Sequence, residues 1–267
     1  MLGRAMVEIF KHAQLQKLGS LTFCYLCGED LPPNGDPGRN RDHVPPTKIF
    51  KPEDRGNPLI LPTHTSCNHG ESSLDEQIVH LIGILHGRAF DPRELRLKIA
   101  EIEDPRGKVG LVYIEFERLI WRWVRAFYTA LYREYLPLDT PRHIQPPMTP
   151  GRPSRDGLES APVLQQQYDY VEIIERNRAL GKLDRVVTRA GKCIYECVWV
   201  EVEGVPERHA CIFALRIYDW SSLGVTDRTG RRGCTGSYGL THLPSGAPVE
   251  VPDPERIVTG SLDPFPE

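Results

Sequence analysis

Two pairs of metal-ligand residues, Cys24 with Cys27 and His64 with Cys67, stand about forty residues apart in the first third of the chain. Each pair has the two-residue gap that lets a tight turn or a helix start aim two soft donors at one ion, and four such donors close a tetrahedral structural zinc site. The loop between the pairs must then fold back on itself. A single C-x-x-C is weak evidence, because redox motifs and chance also produce it. The second pair strengthens the reading, and so do Gly28 and the loop rich in Pro, Asn and Asp that follows. Such a loop buries too little to need Cys24 and Cys27 as core residues.

Between the pairs lies Asp42-His43-Val44-Pro45-Pro46, and Asn68 follows the last metal candidate. With both ends pinned by zinc, Asp42, His43 and Asn68 are expected on one face. Taken singly, Asp42 reads as a turn former, His43 as a surface side chain, Asn68 as a helix N-cap and Asn57-Pro58 as a turn. Their joint order carries the argument.

That order resembles the HNH, or ββα-metal, endonucleases, in particular the subgroup with C-x-x-C, D-H-V-P-P, a mid-loop Asn and C-x-x-C-N. The resemblance spans roughly the first ninety residues. It implies that Asp42 and Asn68 hold a catalytic divalent cation, that His43 is the general base, and that Asn57 steadies the loop bearing His43. His64 stands where a Cys is usual, and imidazole suits zinc as well. His69 is a neighbour that could replace His64 on the metal or touch a phosphate. Asp75 and Glu76 match an acidic pair of the subgroup, although a role at a helix start explains them equally well.

The chemistry fits these residue types. Phosphodiester hydrolysis needs a base near neutrality to take a proton from water, which a neutral imidazole provides. It also needs positive charge at the phosphate and the leaving oxygen. A carboxylate and an amide make a loose, water-rich site, so Mg²⁺ or Mn²⁺ is the expected catalytic ion and zinc the structural one.

Charge does little to advertise a nucleic-acid partner. The chain of 267 residues has a formal net charge of −3, and residues 1–90 carry 9 Lys and Arg against 10 Asp and Glu. Affinity must come from bound cations and local patches, of which Arg39, Arg41, Lys48, Lys51 and Arg55 form one. No apolar run approaches a membrane span and no signal-peptide core opens the chain, so a cytoplasmic protein is expected. Three of the seven cysteines belong to the metal set, and Cys193, Cys197, Cys211 and Cys234 fit reduced thiols. A disulfide between two of them stays open.

The expected fold is α+β: a zinc-stapled ββα module with an N-terminal helix over 1–90, a helical region over 91–136, a Pro-rich linker over 137–163 and a small, antiparallel β-rich region over 164–267. Within it, residues 5–18 read as an amphipathic helix, 74–86 as another, and Asp91-Pro92-Arg93-Glu94 as the start of a third. Residues 114–135 read as a helix with Phe116, Ile120, Trp123, Phe127 and Leu131 on one side. Its Arg118, Arg122, Arg125 and Arg133 read as a solvated face, with contact to a DNA backbone as the alternative. Strands are expected over 168–175, 183–189, 193–202 and 210–218, and little regular structure beyond 231.

The sequence therefore points to a metal-dependent endonuclease, with DNA favoured over RNA and backbone contacted rather than bases. A protein partner or self-association stays open. A role in phage or mobile-element defence follows only from the family. The rival is an inert zinc-stabilised module that binds nucleic acid or protein. A zinc hydrolase is disfavoured, because four protein ligands leave no open position and no H-E-x-x-H occurs.

Overall fold

The computed structural model describes residues 7–85, 98–104, 107–113, 116–145, 162–201, 208–217, 234–244 and 249–250. Strand β1 (Glu8–Ile9) and helix α1 (His12–Lys17) lead into the Cys24 turn. The hairpin β2 (Arg39–Val44) and β3 (Leu59–His64) follows, then helices α2 (Thr65–His69) and α3 (Ser72–Leu85). A second hairpin, β4 (Lys98–Asp104) and β5 (Gly107–Tyr113), precedes α4 (Phe116–Tyr132) and β6 (Arg142–Gln145). Helix α5 (Pro162–Ala179) and strands β7 (Asp184–Thr188), β8 (Cys193–Glu201), β9 (His209–Ile217), β10 (Cys234–Leu240) and β11 (Val249–Glu250) complete the order.

A seven-stranded sheet in the order β1-β7-β8-β9-β10-β6, with β11 beside β8, organises the molecule. Its β7 to β10 and β6 are antiparallel, whereas β1 and β11 join as parallel strands. The sheet recruits the N-terminus and a piece of the proline-rich stretch, so it is larger than the expected C-terminal sheet.

Side chains alternate along the central strands, as a pleated sheet covered on both faces requires. Tyr195, Cys197 and Trp199 of β8, with Cys211, Phe213 and Leu215 of β9, share a core with α4. The intervening Val198, Val200, Ala210, Ile212 and Ala214 pack with Tyr170 and Ile174 of α5. Helix α4 lies between the sheet and the N-terminal module, whose Tyr25, Val44, Phe50, Leu59, Leu61 and Leu74 join the same core.

Every residue of α4 from Leu119 to Tyr132 is buried, Arg122 and Arg125 included. The solvated arginine face expected from the sequence is therefore corrected at these two positions; only Arg118 and Arg133 of the four are exposed. A helix buried on all sides along this stretch belongs to the core, and its internal arginines need internal partners.

Other expectations change as well. Residues 168–175 are helical, within α5, because Tyr170, Ile174 and Asn177 place their buried positions at helical spacing. Residues 98–104 and 107–113 pair as antiparallel strands rather than forming helix. Residues 234–240 form an interior strand despite their glycines. The N-terminal helix is confined to His12–Lys17. The expected helix start at Asp91 lies outside the described residues. All seven cysteines are free thiols. Among the described residues, no helix is long and apolar enough to cross a membrane.

Candidate functional site

Cys24 opens a tight turn in which the Gly28 amide donates to the Cys24 carbonyl at 2.8 Å and the Cys24 amide to the Glu29 carbonyl at 2.8 Å. Gly28 sits at φ +84°, where a side chain would be strained and would also meet the Tyr135 ring. At the other end, β3 delivers His64 and α2 delivers Cys67. Donor atoms of Cys24, Cys27, His64 and Cys67 all lie within 4.8 Å of one another.

The donor set fits a metal in kind and in setting. His64 turns Nδ1 toward Cys27 Sγ at 3.3 Å, while its Nε2 meets the Asp30 carbonyl at 3.0 Å. That second contact fixes the ring and leaves Nδ1 as the ligand atom. The His64 amide donates to Cys24 Sγ at 3.5 Å. Burial, then the neighbouring Cys24 and Cys27, push the Cys67 thiol up to about 12, and burial likewise raises Cys27. Three crowded thiols of this kind ionise together only beside a cation. The cluster is compatible with zinc.

The β2–β3 hairpin carries the next residues. Its alternation buries Asp42 and Val44 and exposes Arg41 and His43. Asp42 pairs with Leu61 and His43 with Ile60 across the hairpin. A groove of about 610 Å³ runs along it, lined among others by Arg41, Asp42, His43, Lys48, Asn68 and His69. The wall opposite is α3, which contributes Asp75, Glu76, Val79 and His80 from one face. Asp42, His43 and Asn68 thus do share one groove beside the metal cluster.

Arg122 occupies the middle of this arrangement. Its Nη2 donates to Asp42 Oδ2 at 2.7 Å and reaches Asn68 Oδ1 at 3.4 Å, while Nη1 donates to Asp75 Oδ1 at 2.8 Å. The Tyr25 hydroxyl donates to the same Asp42 oxygen. Arg122 and Asp42 are each 4% exposed. Burial would weaken the guanidinium's hold on its proton, but the carboxylates of Asp42 and Asp75 more than offset that and keep it charged. Burial raises Asp75 to about 6 against the opposing pull of Arg122, and raises the Tyr25 hydroxyl well above its ordinary range.

His43 stands at the groove mouth with its pKa below the ordinary value, chiefly through partial burial. The positive charges of Arg189 and Arg41 add to the shift and Asp42 opposes it. Arg189, 1% exposed, reaches across from the turn after β7. Its Nη2 donates to the Pro45 carbonyl at 2.9 Å and to Thr47 Oγ1 at 3.0 Å, and its guanidinium lies over the Phe50 ring. It thereby clamps the segment just after His43.

The remaining sequence candidates fall in different places. Asn57 is exposed at φ 47°, and its backbone carbonyl is what holds: it accepts from Thr188 Oγ1 at 2.5 Å and from the Arg189 amide at 3.0 Å. Arg41 and Lys48 line the groove, but Arg39 and Lys51 do not. Arg39 instead ties the Cys24 turn region down, donating to the carbonyls of Pro32, Gly19 and Leu21. Arg55 donates to the Phe50 carbonyl.

Sequence reasoning missed Tyr25, His80, Arg122 and Arg189. Only Arg122 left a trace, as a charge set between Trp121 and Trp123 in an aromatic-rich helix. Comparison with protein-family models, curated proteins and solved structures finds no match to this chain.

Proposed function

We propose that this chain is a zinc-stapled endonuclease of the HNH type, hydrolysing phosphodiester bonds of nucleic acid, with DNA favoured. The observation that carries the reading is the convergence of Asp42, His43 and Asn68 on one groove beside a Cys₃His cluster. In this reading β2, β3 and the following helix are the ββα module, zinc is its staple, and Arg41, Lys48 and His69 receive the phosphate backbone.

His43 takes the proton of the attacking water. Its depressed pKa keeps the ring neutral near pH 7, as a base requires. Arg189 holds the Pro45–Thr47 segment and so fixes the approach of His43 to the groove. Asp42 and Asn68 supply oxygens of the right kind for Mg²⁺ or Mn²⁺. Such an ion, when bound, stabilises charge on the phosphate and the leaving oxygen. Those oxygens are already engaged by Arg122, so the charge at the base of the groove is a guanidinium.

That engagement favours a second reading, a catalytically inert zinc-stabilised module that binds nucleic acid or protein. Incubating supercoiled plasmid with the purified protein and Mg²⁺ or Mn²⁺ separates the two. Nicking is expected to need the added ion and to disappear in His43→Ala, with zinc content and DNA binding retained. Equal cleavage by the variant removes the mechanism, and no cleavage by the unmodified protein leaves the binding module.

A further inference from the structure

We propose that Arg122 is an internal occupant of the cation position, so that a divalent ion and its guanidinium compete for Asp42 and Asn68. The proposal rests on the nuclease reading for its meaning, but its test does not depend on cleavage. A single nitrogen, Nη2, contacts Asp42 Oδ2 at 2.7 Å and Asn68 Oδ1 at 3.4 Å, which are the two oxygens a metal in that place would use. The other nitrogen, Nη1, meets Asp75 at 2.8 Å. A dication sharing these oxygens would lie within a few ångströms of the guanidinium, in a setting where like charges are poorly screened. Both cannot sit there together.

Charge balance supports the same conclusion. Asp42 and Asp75 bring two negative charges, Arg122 returns one positive, and Tyr25 donates a hydrogen bond without adding charge. With Arg122 in place the network lacks the charge that hard divalent ions favour, and without it the Asp42 and Asn68 oxygens are left around the position of one nitrogen, with the Asp75 carboxylate beside the other. Arg122 enters from α4, which the sheet and the N-terminal module bury on both sides, so the occupant comes from the scaffold rather than from a mobile loop. An ordinary buried ion pair would satisfy Asp42 and Asp75 as well; what sets competition apart is that removing the guanidinium opens Asp42 and Asn68 to a cation, which is measurable.

The test is Mn²⁺ binding to the full-length, zinc-loaded protein, followed by loss of the free-ion paramagnetic resonance signal. Arg122→Gln is expected to bind Mn²⁺ about tenfold or more tightly than the unmodified protein, a difference of ~1.4 kcal/mol or more. Adding Asn68→Ala to that variant is expected to reverse the gain. Arg122→Lys keeps the charge and is expected to stay near the unmodified affinity.

A folded Arg122→Gln, verified by zinc stoichiometry and melting, with unchanged Mn²⁺ affinity overturns the proposal. If Arg122→Gln does not fold, the unmodified background decides. Asn68→Ala should change Mn²⁺ affinity there by less than about twofold, because it removes a contact from the ion and from the guanidinium alike; a tenfold loss shows a site already open to metal and overturns the idea. Competition for Mn²⁺ with no nicking by any variant sinks the nuclease reading and leaves this one standing.

Discussion

At the scale of single residues, the candidate site depends on two buried arginines whose partners lie far away in sequence. Among the described residues no carboxylate is in contact with Arg189, and burial lowers its pKa to about 10. Partial burial first, then the charges of Arg189 and Arg41, disfavour the protonated form of His43, so the imidazole stays a free base to a pH below its ordinary value of about 6.5. If His43 is the base, cleavage rises as pH climbs through its pKa and levels off above it. Arg189→Gln removes a positive charge and should move that inflection to higher pH. A pH–rate profile of the variant checks this, and an unmoved inflection with only a uniform loss of rate would assign Arg189 a purely structural part. The Cys₃His cluster and the meeting of Asp42, His43 and Asn68 in one groove were legible in the sequence because each belongs to a short motif with fixed spacing. Arg122 and Arg189 were not, since they meet Asp42 and Pro45 across 80 and 144 positions of chain.

At the scale of elements, helix α4 and strand β10 were the least legible. The helical period of residues 114–135 was plain, but its arginines suggested a wet face. Exposure is decided by what packs against the helix, and both of its neighbours are distant in sequence. Strand β10 reads C-T-G-S-Y-G-L, and its glycines hide it from any propensity argument. Gly236 is there because a Cβ would collide with the His143 carbonyl and come within 2.7 Å of the Phe213 ring. Gly236→Ala should cost about 1–3 kcal/mol through overpacking, read from the midpoint of denaturant unfolding. An unchanged midpoint would mean that β6 and β10 are less tightly apposed than described. Helix α5 was misread because V-E-I-I resembles a strand when its neighbours are ignored, whereas Tyr170, Ile174 and Asn177 reveal the longer period.

At the scale of the whole molecule, the turn that carries Cys24 and Cys27 packs through Tyr25 into the same hydrophobic core as the sheet. Arg125 donates to the carbonyls of Tyr25 and Leu26 in the Cys24 turn and to that of Leu136 after α4, joining the cluster to the buried helix. Structural zinc is worth roughly 10–16 kcal/mol in small zinc peptides, comparable to the whole stability of a typical domain. Chelation, or Cys67→Ser, is therefore expected to lower the melting temperature of the entire protein in a single transition. Two separate transitions, with the sheet melting unchanged, would show that the module and the sheet are independent. The α+β class was readable from the hydrophobic periods, and the Cys₃His cluster from the spacing of its residues. The arrangement of layers around α4 was not, because long-range packing leaves no local pattern.

Thr188 and Arg189 grip the Asn57 carbonyl and the Pro45–Thr47 segment from more than 130 residues downstream. During synthesis, the backbone beside His43 therefore waits for a part of the chain made much later. A growing polypeptide that already has His43 still lacks the brace on the segment that follows it. If the groove does cut nucleic acid, the order of translation itself would keep unfinished copies harmless.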